Sequence, residues 1–186
     1  MKSLPPFSRP TPKNPWHDIS PGTAQELNAI VEIPLNSRLK YEIDKESGLL
    51  KLDRTLFSSV NYPANYGFVP QTLADDGDPL DILILGHEPL YPLTLLEARP
   101  IGIMNMVDQG EQDYKIIAVP AKDPEFKQVK DLADIAPHLA KKIKRFFEEY
   151  KNLENKVVSV QDLQPLKDAL PVIEEAIAAY QKWVQG

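Results

Sequence analysis

The chain has 186 residues, with 27 Asp and Glu against 21 Lys and Arg, a formal net charge of −6, and no cysteine. The absence of cysteine excludes disulfides, thiolate metal sites and a cysteine nucleophile. The negative charge argues against a protein that binds nucleic acid through a basic face. No segment approaches the roughly 18 apolar residues of a membrane span, and no signal peptide is recognisable. We therefore expect one cytoplasmic domain spanning residues 1–186.

The first part of the chain is predicted to be an extended arm over residues 1–20, because five prolines before Trp16 oppose regular structure. We expect Trp16 to pin this arm to the body. From about residue 28 to 120, short aliphatic and β-branched segments alternate with turn residues, which is typical of strands. The predicted strands are 29–33, 39–43, 49–52, 80–85, 99–107 and 114–119. Because no helix separates them, the pattern favours an antiparallel sheet or small barrel.

Helical periodicity begins after residue 130. Apolar residues between 135 and 150 recur at spacings of three and four, and Pro137 suits the first turn of a helix. A second apolar stripe covers 173–184, and Pro171 is expected to start or kink that helix. The predicted fold is therefore mainly β with flanking helices (α+β), in which two helices from the C-terminal half cover a small β-barrel.

Acidic residues interrupt the predicted strands. Asp81 lies within the apolar run 80–85, where an unpaired carboxylate costs several kcal/mol, so it needs a cation, a metal or several hydrogen bonds. Glu32 stands between Val31 and Ile33 in the same way, and a cross-strand ion pair is an alternative explanation. Asp76 and Asp78 precede Asp81 in the sequence Asp-Gly-Asp-Pro, which is also typical of a simple polar turn.

A second acidic cluster follows the strand at 99–107 and contains Asp108, Glu111 and Asp113. Lys115 shares a strand face with Asp113, although a solvated hairpin loop would explain the same residues. Carboxylates without nearby His or Cys favour Mg²⁺, Mn²⁺ or Ca²⁺.

Cationic and phenolic groups come from the same β-rich region and from the end of the first helix. Taken singly, they are explained as solvated strand faces, core aromatics or surface charges. Taken together, they suit phosphate oxygens, and metal-assisted phosphate hydrolysis uses both carboxylates and cations. These groups are Lys40, Arg54, Tyr62, Tyr66, Lys115, Tyr150 and Lys151.

The chain resembles the family I soluble inorganic pyrophosphatases, and its compact length is similar to the bacterial form. The segment from Asp76 to Asp81 matches the family signature D-[SGN]-D-P-x-D, and five further blocks follow the family's order between Val31 and Lys151. The resemblance implies a five-stranded, OB-like closed barrel, a requirement for Mg²⁺ (or Mn²⁺ or another divalent metal), and hydrolysis of pyrophosphate to two phosphates. It also implies a homohexamer.

The resemblance assigns roles residue by residue. Asp78 is similar to the group that accepts the proton of the attacking water, and Tyr62 to a partner behind the site. The residues similar to metal ligands are Asp76, Asp81, Asp108, Asp113, Glu32 and Glu42. Those similar to the phosphate-binding groups are Lys40, Arg54, Tyr66, Lys115, Tyr150 and Lys151.

Two other functions are compatible with the sequence. One is an OB-like module that binds single-stranded nucleic acid on its barrel face, using Tyr41, Tyr62 and Tyr66. The other keeps the metal-dependent hydrolysis and changes the substrate to a nucleotide or polyphosphate.

Overall fold

The computed structural model describes residues 14–154 and 156–186, so most of the predicted arm lies outside the described residues. The strands are β1 (Gly22–Thr23), β2 (Glu26–Ile33), β3 (Leu39–Ile43), β4 (Leu50–Thr55), β5 (Asn65–Phe68), β6 (Asp81–Ile84), β7 (Leu95–Asp108), β8 (Glu111–Pro120), β9 (Val158–Val160) and β10 (Gln164–Pro165). The helices are α1 (Pro137–Glu149) and α2 (Leu166–Gln185), and three short 3-10 turns lie at Pro124–Phe126, Leu132–Asp134 and Asn152–Glu154.

Five strands close into a ring. The hydrogen-bonded order β2-β5-β6-β8-β7 returns to β2, because β2 pairs with β5 along one part of its length and with β7 along another. Four of these five pairings are antiparallel, as expected, but β6 runs parallel to β8. This parallel pair exists because β7 lies between β6 and β8 in sequence, so the chain reverses twice before β8 joins β6. The hairpin β3–β4 forms a separate two-stranded sheet.

Both predicted helices are present. Helix α1 begins at Pro137, as the sequence predicts, and buries Ile143, Phe146 and Phe147. Helix α2 begins at Leu166, so the expectation that Pro171 could start it is wrong. Pro171 lacks one backbone N–H, a loss that the apolar face of α2 offsets by packing on the sheet. None of the helices in the described ranges combines the length and hydropathy that a bilayer-spanning segment needs.

Strand β6 explains why the sequence around Asp81 is continuously apolar. Ile82 and Ile84 belong to the core cluster that contains the inner face of α2, whereas Leu83 and Leu85 belong to the cluster that contains α1. Successive side chains of a strand point to opposite faces, and here both faces are buried. The strand therefore tolerates a carboxylate only at its first residue, Asp81, which is half-buried at the end of the ring.

Trp16 anchors the described part of the expected arm, although residues 15–19 form turns and bends rather than an extended segment. Its side chain is only 3% exposed, and its indole Nε1 donates a hydrogen bond to the Thr72 carbonyl over 2.9 Å. Trp16 also packs near Tyr180 of α2, with ring centroids 6.2 Å apart. The start of the described chain is therefore fixed to both the loop before β6 and the last helix.

Gly67 provides a test of the ring closure. A Cβ atom at this position would lie 1.8 Å from the Ile30 carbonyl oxygen, so β2 and β5 can approach only around a residue without a side chain. We expect Gly67→Ala to lower the free energy of unfolding by at least about 3 kcal/mol. Gly86→Ala is the matched control, because its nearest neighbour is a side-chain atom 3.7 Å away, and its effect should stay within about 0.5 kcal/mol. Urea denaturation measures both, and equal effects would contradict this explanation.

Candidate active site

A cavity of about 240 Å³ opens at the end of the ring where β6 begins. It brings together the predicted site residues from β2, β3, β5, β6, β7, β8, the loops before β5 and β6 and the residues after α1, with Arg54 as the exception. The predicted residues that line it are Glu32, Lys40, Glu42, Tyr62, Tyr66, Asp76, Asp78, Asp81, Asp108, Asp113, Lys115, Tyr150 and Lys151.

Lys115 is the central cation of the cavity. It is 2% exposed, and its ammonium lies 2.6 Å from Asp81 Oδ2 and 2.8 Å from Asp113 Oδ1. Burial disfavours the charged form, but Asp81 and Asp113 outweigh burial and hold the pKa of Lys115 well above its usual value. Of the cation, metal or hydrogen bonds that we expected beside Asp81, the structure shows a cation, Lys115, its register partner on β8.

The parallel pairing of β6 with β8 creates this contact. Asp81 lies directly opposite Lys115, and Asp113 lies two residues before Lys115 on the same strand face. The predicted grouping of Asp113 with Lys115 is confirmed by the ion pair between them. Burial raises the pKa of Asp113 despite the attraction of Lys115.

A second buried lysine pairs with the end of β7. Lys151 forms an ion pair with Asp108 Oδ2, and burial lowers the pKa of Lys151 despite that partner. The other oxygen, Asp108 Oδ1, is buried and has no hydrogen-bond partner among the described residues. An unpaired buried carboxylate oxygen is costly and marks a position where a cation would be stabilised.

Glu32 is buried at the end of β2 beneath the hairpin β3–β4. Its Oε1 accepts a hydrogen bond of 2.6 Å from the Ile43 N–H, so its partner is a backbone group rather than a cross-strand cation. Burial raises the pKa of Glu32 to about 8, and neighbouring Asp81 and Glu42 act in the same direction. Burial therefore favours the protonated form of Glu32.

The phenols lie on the wall beneath the carboxylates. Tyr66 Oη accepts a hydrogen bond of 3.1 Å from Lys115, and burial raises the pKa of Tyr66 well above its usual value. Tyr62 packs against Phe146 with ring centroids 4.7 Å apart, which agrees with its interpretation as a core aromatic. Burial also raises the pKa of Tyr150, so all three phenols remain protonated at neutral pH.

Arg54 lies beside the cavity rather than in its lining. Its Nε donates to Glu154 Oε1 over 2.9 Å, and its Nη1 contacts Asp53. Lys40, which pairs with Glu42, lies 3.5 Å from the same Asp53 carboxylate. The sequence analysis missed Glu154, which is 100 residues away from Arg54 in sequence, and no local pattern indicates that contact.

The turn before β6 presents Asp76 and Asp78. Asp76 Oδ1 accepts a hydrogen bond of 3.0 Å from the Asp78 N–H, so the simple polar-turn explanation holds for part of the motif. Asp78 forms an ion pair with Lys45, a lining residue that the sequence analysis did not single out. Burial raises the pKa of Asp76.

The donor set fits hard divalent cations. Seven carboxyl groups and four lysines line the cavity, whereas no histidine does. Within residues 14–154 and 156–186, no three His, Asp or Glu side chains converge on one point, because lysine ammoniums lie between the carboxylates. The excess of carboxyl groups and the unpaired Asp108 Oδ1 leave negative potential that a divalent cation would neutralise.

Comparison with known proteins identifies the family. The sequence model of the inorganic pyrophosphatase family matches residues 29–181. The chain belongs to the inorganic pyrophosphatase family. It is 49% identical to soluble inorganic pyrophosphatase 2 of Chlamydomonas reinhardtii, over 95% of this chain and 93% of that one.

Two further relatives come from a plant and a bacterium. The chain is 50% identical to the soluble inorganic pyrophosphatase of Oryza sativa subsp. indica, over 92% of this chain and 81% of the relative. The structure of the inorganic pyrophosphatase of Helicobacter pylori superimposes with a TM-score of 0.82 at 47% identity, covering 85% of this chain and 95% of the other. Algal, plant and bacterial pyrophosphatases thus match at similar identity. The compact length therefore does not single out the bacterial form.

Lys115 provides a test of how this pyrophosphatase site is stabilised without metal. We expect Lys115→Met to destabilise the metal-free protein by about 3–5 kcal/mol, because two half-buried carboxylates lose their shared counter-ion. Millimolar Mg²⁺ should recover more stability in the variant than in the wild type, because the cation would replace the ammonium. Lys122→Met is the control, since Lys122 is 82% exposed and pairs only with Glu97. Thermal unfolding with chelator and with Mg²⁺ measures both, and equal Mg²⁺ effects would contradict the interpretation.

Proposed function

We propose that this protein hydrolyses inorganic pyrophosphate to two orthophosphates and that it requires Mg²⁺. The observation that supports this function best is the single cavity in which an excess of carboxyl groups faces buried lysines and phenols. Hydrolysis of a phosphoanhydride requires both neutralisation of the substrate's charge and activation of water. The carboxylates, lysines and phenols gathered at one end of the ring could meet both requirements.

The carboxylates form the metal-binding side of the proposed site. Asp81 and Asp113 would bind metal at the centre, with Asp76 and Asp108 toward the turn and with Glu32 and Glu42 as further oxygen donors. A bound divalent metal would lower the pKa of coordinated water and so make hydroxide easier to form near neutral pH. Protonated Glu32 would lose its proton when a cation neutralises the surrounding acids.

Asp78 is the proposed proton acceptor. Its carboxylate lines the cavity on the turn that also carries Asp76. We infer that water attacks phosphorus directly while Asp78 accepts its proton, because the sequence contains no cysteine and no Ser–His pair lines the cavity. The bond to the leaving phosphate then breaks without a covalent enzyme intermediate.

The cations and phenols form the phosphate-binding side. Lys115 and Lys151 are buried and face the cavity together with Lys40, and the protonated hydroxyls of Tyr66 and Tyr150 can donate hydrogen bonds to phosphate oxygens. Arg54 lies next to this group, and its Nη2, which is buried and has no hydrogen-bond partner among the described residues, would be available to a phosphate oxygen.

The family resemblance also supports proposals about the fold class, the cellular location and the oligomeric state. The closed ring of five strands supports the OB-like classification of a single domain over residues 1–186. We further propose that the protein is cytoplasmic and that it forms a homohexamer. Analytical ultracentrifugation tests the number of subunits directly. The nucleic-acid module is the weaker alternative, because the cavity is lined by more carboxylates than cations and these would repel a phosphate backbone without metal.

The first test compares substrates. We expect phosphate release from pyrophosphate in the presence of Mg²⁺, with little release from tripolyphosphate or ATP, and loss of activity after exhaustive chelation that added Mg²⁺ restores. Colorimetric phosphate assays with the three substrates at equal concentration measure this. Equal activity on ATP would change the substrate class, and activity without any divalent cation would contradict the metal-dependent mechanism.

The second test separates metal binding from proton transfer. We expect Asp78→Asn to lower kcat by roughly 10²–10⁴-fold and to keep its affinity for Mg²⁺, because the amide cannot accept the proton. Asp81→Ala should instead lose Mg²⁺ affinity, measured by calorimetry. Asp75→Asn is the control, since Asp75 lies in the same turn, is exposed and does not line the cavity. Near-normal turnover of Asp78→Asn would remove Asp78 from the mechanism.

A further inference from the structure

Lys45 is the cavity residue for which the proposed reaction gives no role. It lies between β3 and β4, outside the sequence blocks that indicate the site. Its ammonium pairs with Asp78 Oδ1 and lies 3.3 Å from the Gly77 carbonyl oxygen. Within the described part of the chain, Lys45 is the one side chain from outside the turn that forms a hydrogen bond or ion pair with Gly77 or Asp78.

The tip of this turn has little other support. A Cβ atom built on Gly77 would meet nothing within 4 Å, so open space surrounds it. Internal hydrogen bonds link Ala74 with Asp78 and Gly77 with Ala74, which shape the turn without attaching it to the rest of the protein. The base of the turn is better held, because Thr72 Oγ1 accepts a hydrogen bond from the Leu80 N–H over 2.8 Å. In the described part of the chain, the side-chain hydrogen bond and ion pair that link the tip of the turn to the rest of the protein are therefore those of Lys45.

Lys45 is itself supported by the first described residues. Its ammonium lies 5.8 Å from the centroid of the Trp16 ring, within the range of a cation–π contact. Its carbonyl oxygen accepts a hydrogen bond of 2.8 Å from the Asn14 side chain. The same Trp16 donates from its indole to the Thr72 carbonyl at the base of the turn. Trp16 thus contacts Lys45, which holds the tip of the turn, and Thr72, which holds its base.

We propose that Lys45 is a positioning residue of the hydrolase, which holds the Asp78 carboxylate in the orientation needed for proton transfer. Trp16 in turn positions Lys45 through the cation–π contact, and we call Trp16 the platform for Lys45. This inference depends on the proposed role of Asp78. The ion pair is half exposed, with 52% and 51% of the two side chains accessible. Such pairs contribute about 0–1 kcal/mol to the stability of the fold. The proposed role of Lys45 is therefore to orient the Asp78 carboxylate rather than to stabilise the protein.

The primary test is Lys45→Met, assayed for pyrophosphate hydrolysis with saturating Mg²⁺. We expect kcat to fall about 2–5-fold with KM, Mg²⁺ affinity and melting temperature unchanged, because a half-exposed ion pair can shift the fraction of correctly placed Asp78 by no more than about that factor. Lys45→Arg should restore most of kcat, since it keeps the charge and can lie over Trp16. Lys51→Met is the control, because Lys51 is exposed on the same hairpin and does not line the cavity, and it should match the wild type.

A double-mutant cycle tests whether Lys45 affects kcat through Asp78. If Lys45 acts through Asp78, adding Lys45→Met to Asp78→Asn should lower kcat no further. If the fold-decreases in kcat of the two single variants multiplied in the double variant, the inference would be overturned. An unchanged kcat in Lys45→Met would also overturn it. A raised KM with unchanged kcat would also overturn it, because Lys45 would then bind phosphate. Wild-type protein without pyrophosphatase activity would instead refute the proposed function, so the two failures are distinguishable.

Trp16→Leu tests the platform independently. We expect kcat to fall in the same direction as in Lys45→Met, and the combination of the two substitutions should be no worse than the stronger single one. Trp16 is buried, so melting temperature and circular dichroism must first show that Trp16→Leu is folded. If it is not folded, the Lys45 series alone decides the role of Lys45. A folded Trp16→Leu variant with full kcat would overturn the assignment of Trp16 as platform.

Discussion

The buried ammonium of Lys115 links the fold to the site. A cation that is 2% exposed must be paired and hydrogen-bonded, and its partners Asp81 and Asp113 satisfy that requirement at 2.6 and 2.8 Å. Since Asp81 begins β6 and Lys115 lies in β8, the pair also fixes the register of the one parallel pairing in the ring. A shift of one residue would move Lys115, together with Asp113 of the same strand, to the opposite face and leave Asp81 without its counter-ion.

The remaining site residues are arranged around this centre on elements of different kinds. The ring supplies Asp81, Asp113 and Lys115, whose backbones are fixed by hydrogen bonds on neighbouring strands. The separate hairpin β3–β4 supplies Lys40 and Glu42, and the residues after α1 supply Tyr150 and Lys151. The strands thus hold the central groups, whereas the groups around them come from parts of the chain with fewer backbone restraints.

More of the residues that line the cavity than of the strands in the sheet were predicted from the sequence. The bounds of β3 and the start of α1 agree with the structure, because aliphatic alternation and Pro137 are local signals. Strand β5 was missed because Asn65-Tyr-Gly-Phe68 contains no β-branched residue, and its Gly67 serves a close approach of two backbones. The contacts of Lys45 with Asp78 and of Arg54 with Glu154 join distant segments, so no spacing in the sequence reveals them.

The pairing of acids with lysines also explains how one cavity can hold both a metal and a phosphate. In the metal-free protein, Asp81 and Asp113 neutralise Lys115, and Asp108 neutralises Lys151. If divalent cations balanced those carboxylates, each ammonium would retain its charge and need a new anion, which the phosphate groups of the substrate would provide. The lysines that allow the acidic cluster to fold are thus the same groups that would hold the substrate. Metal binding and substrate binding at this site should therefore favour one another.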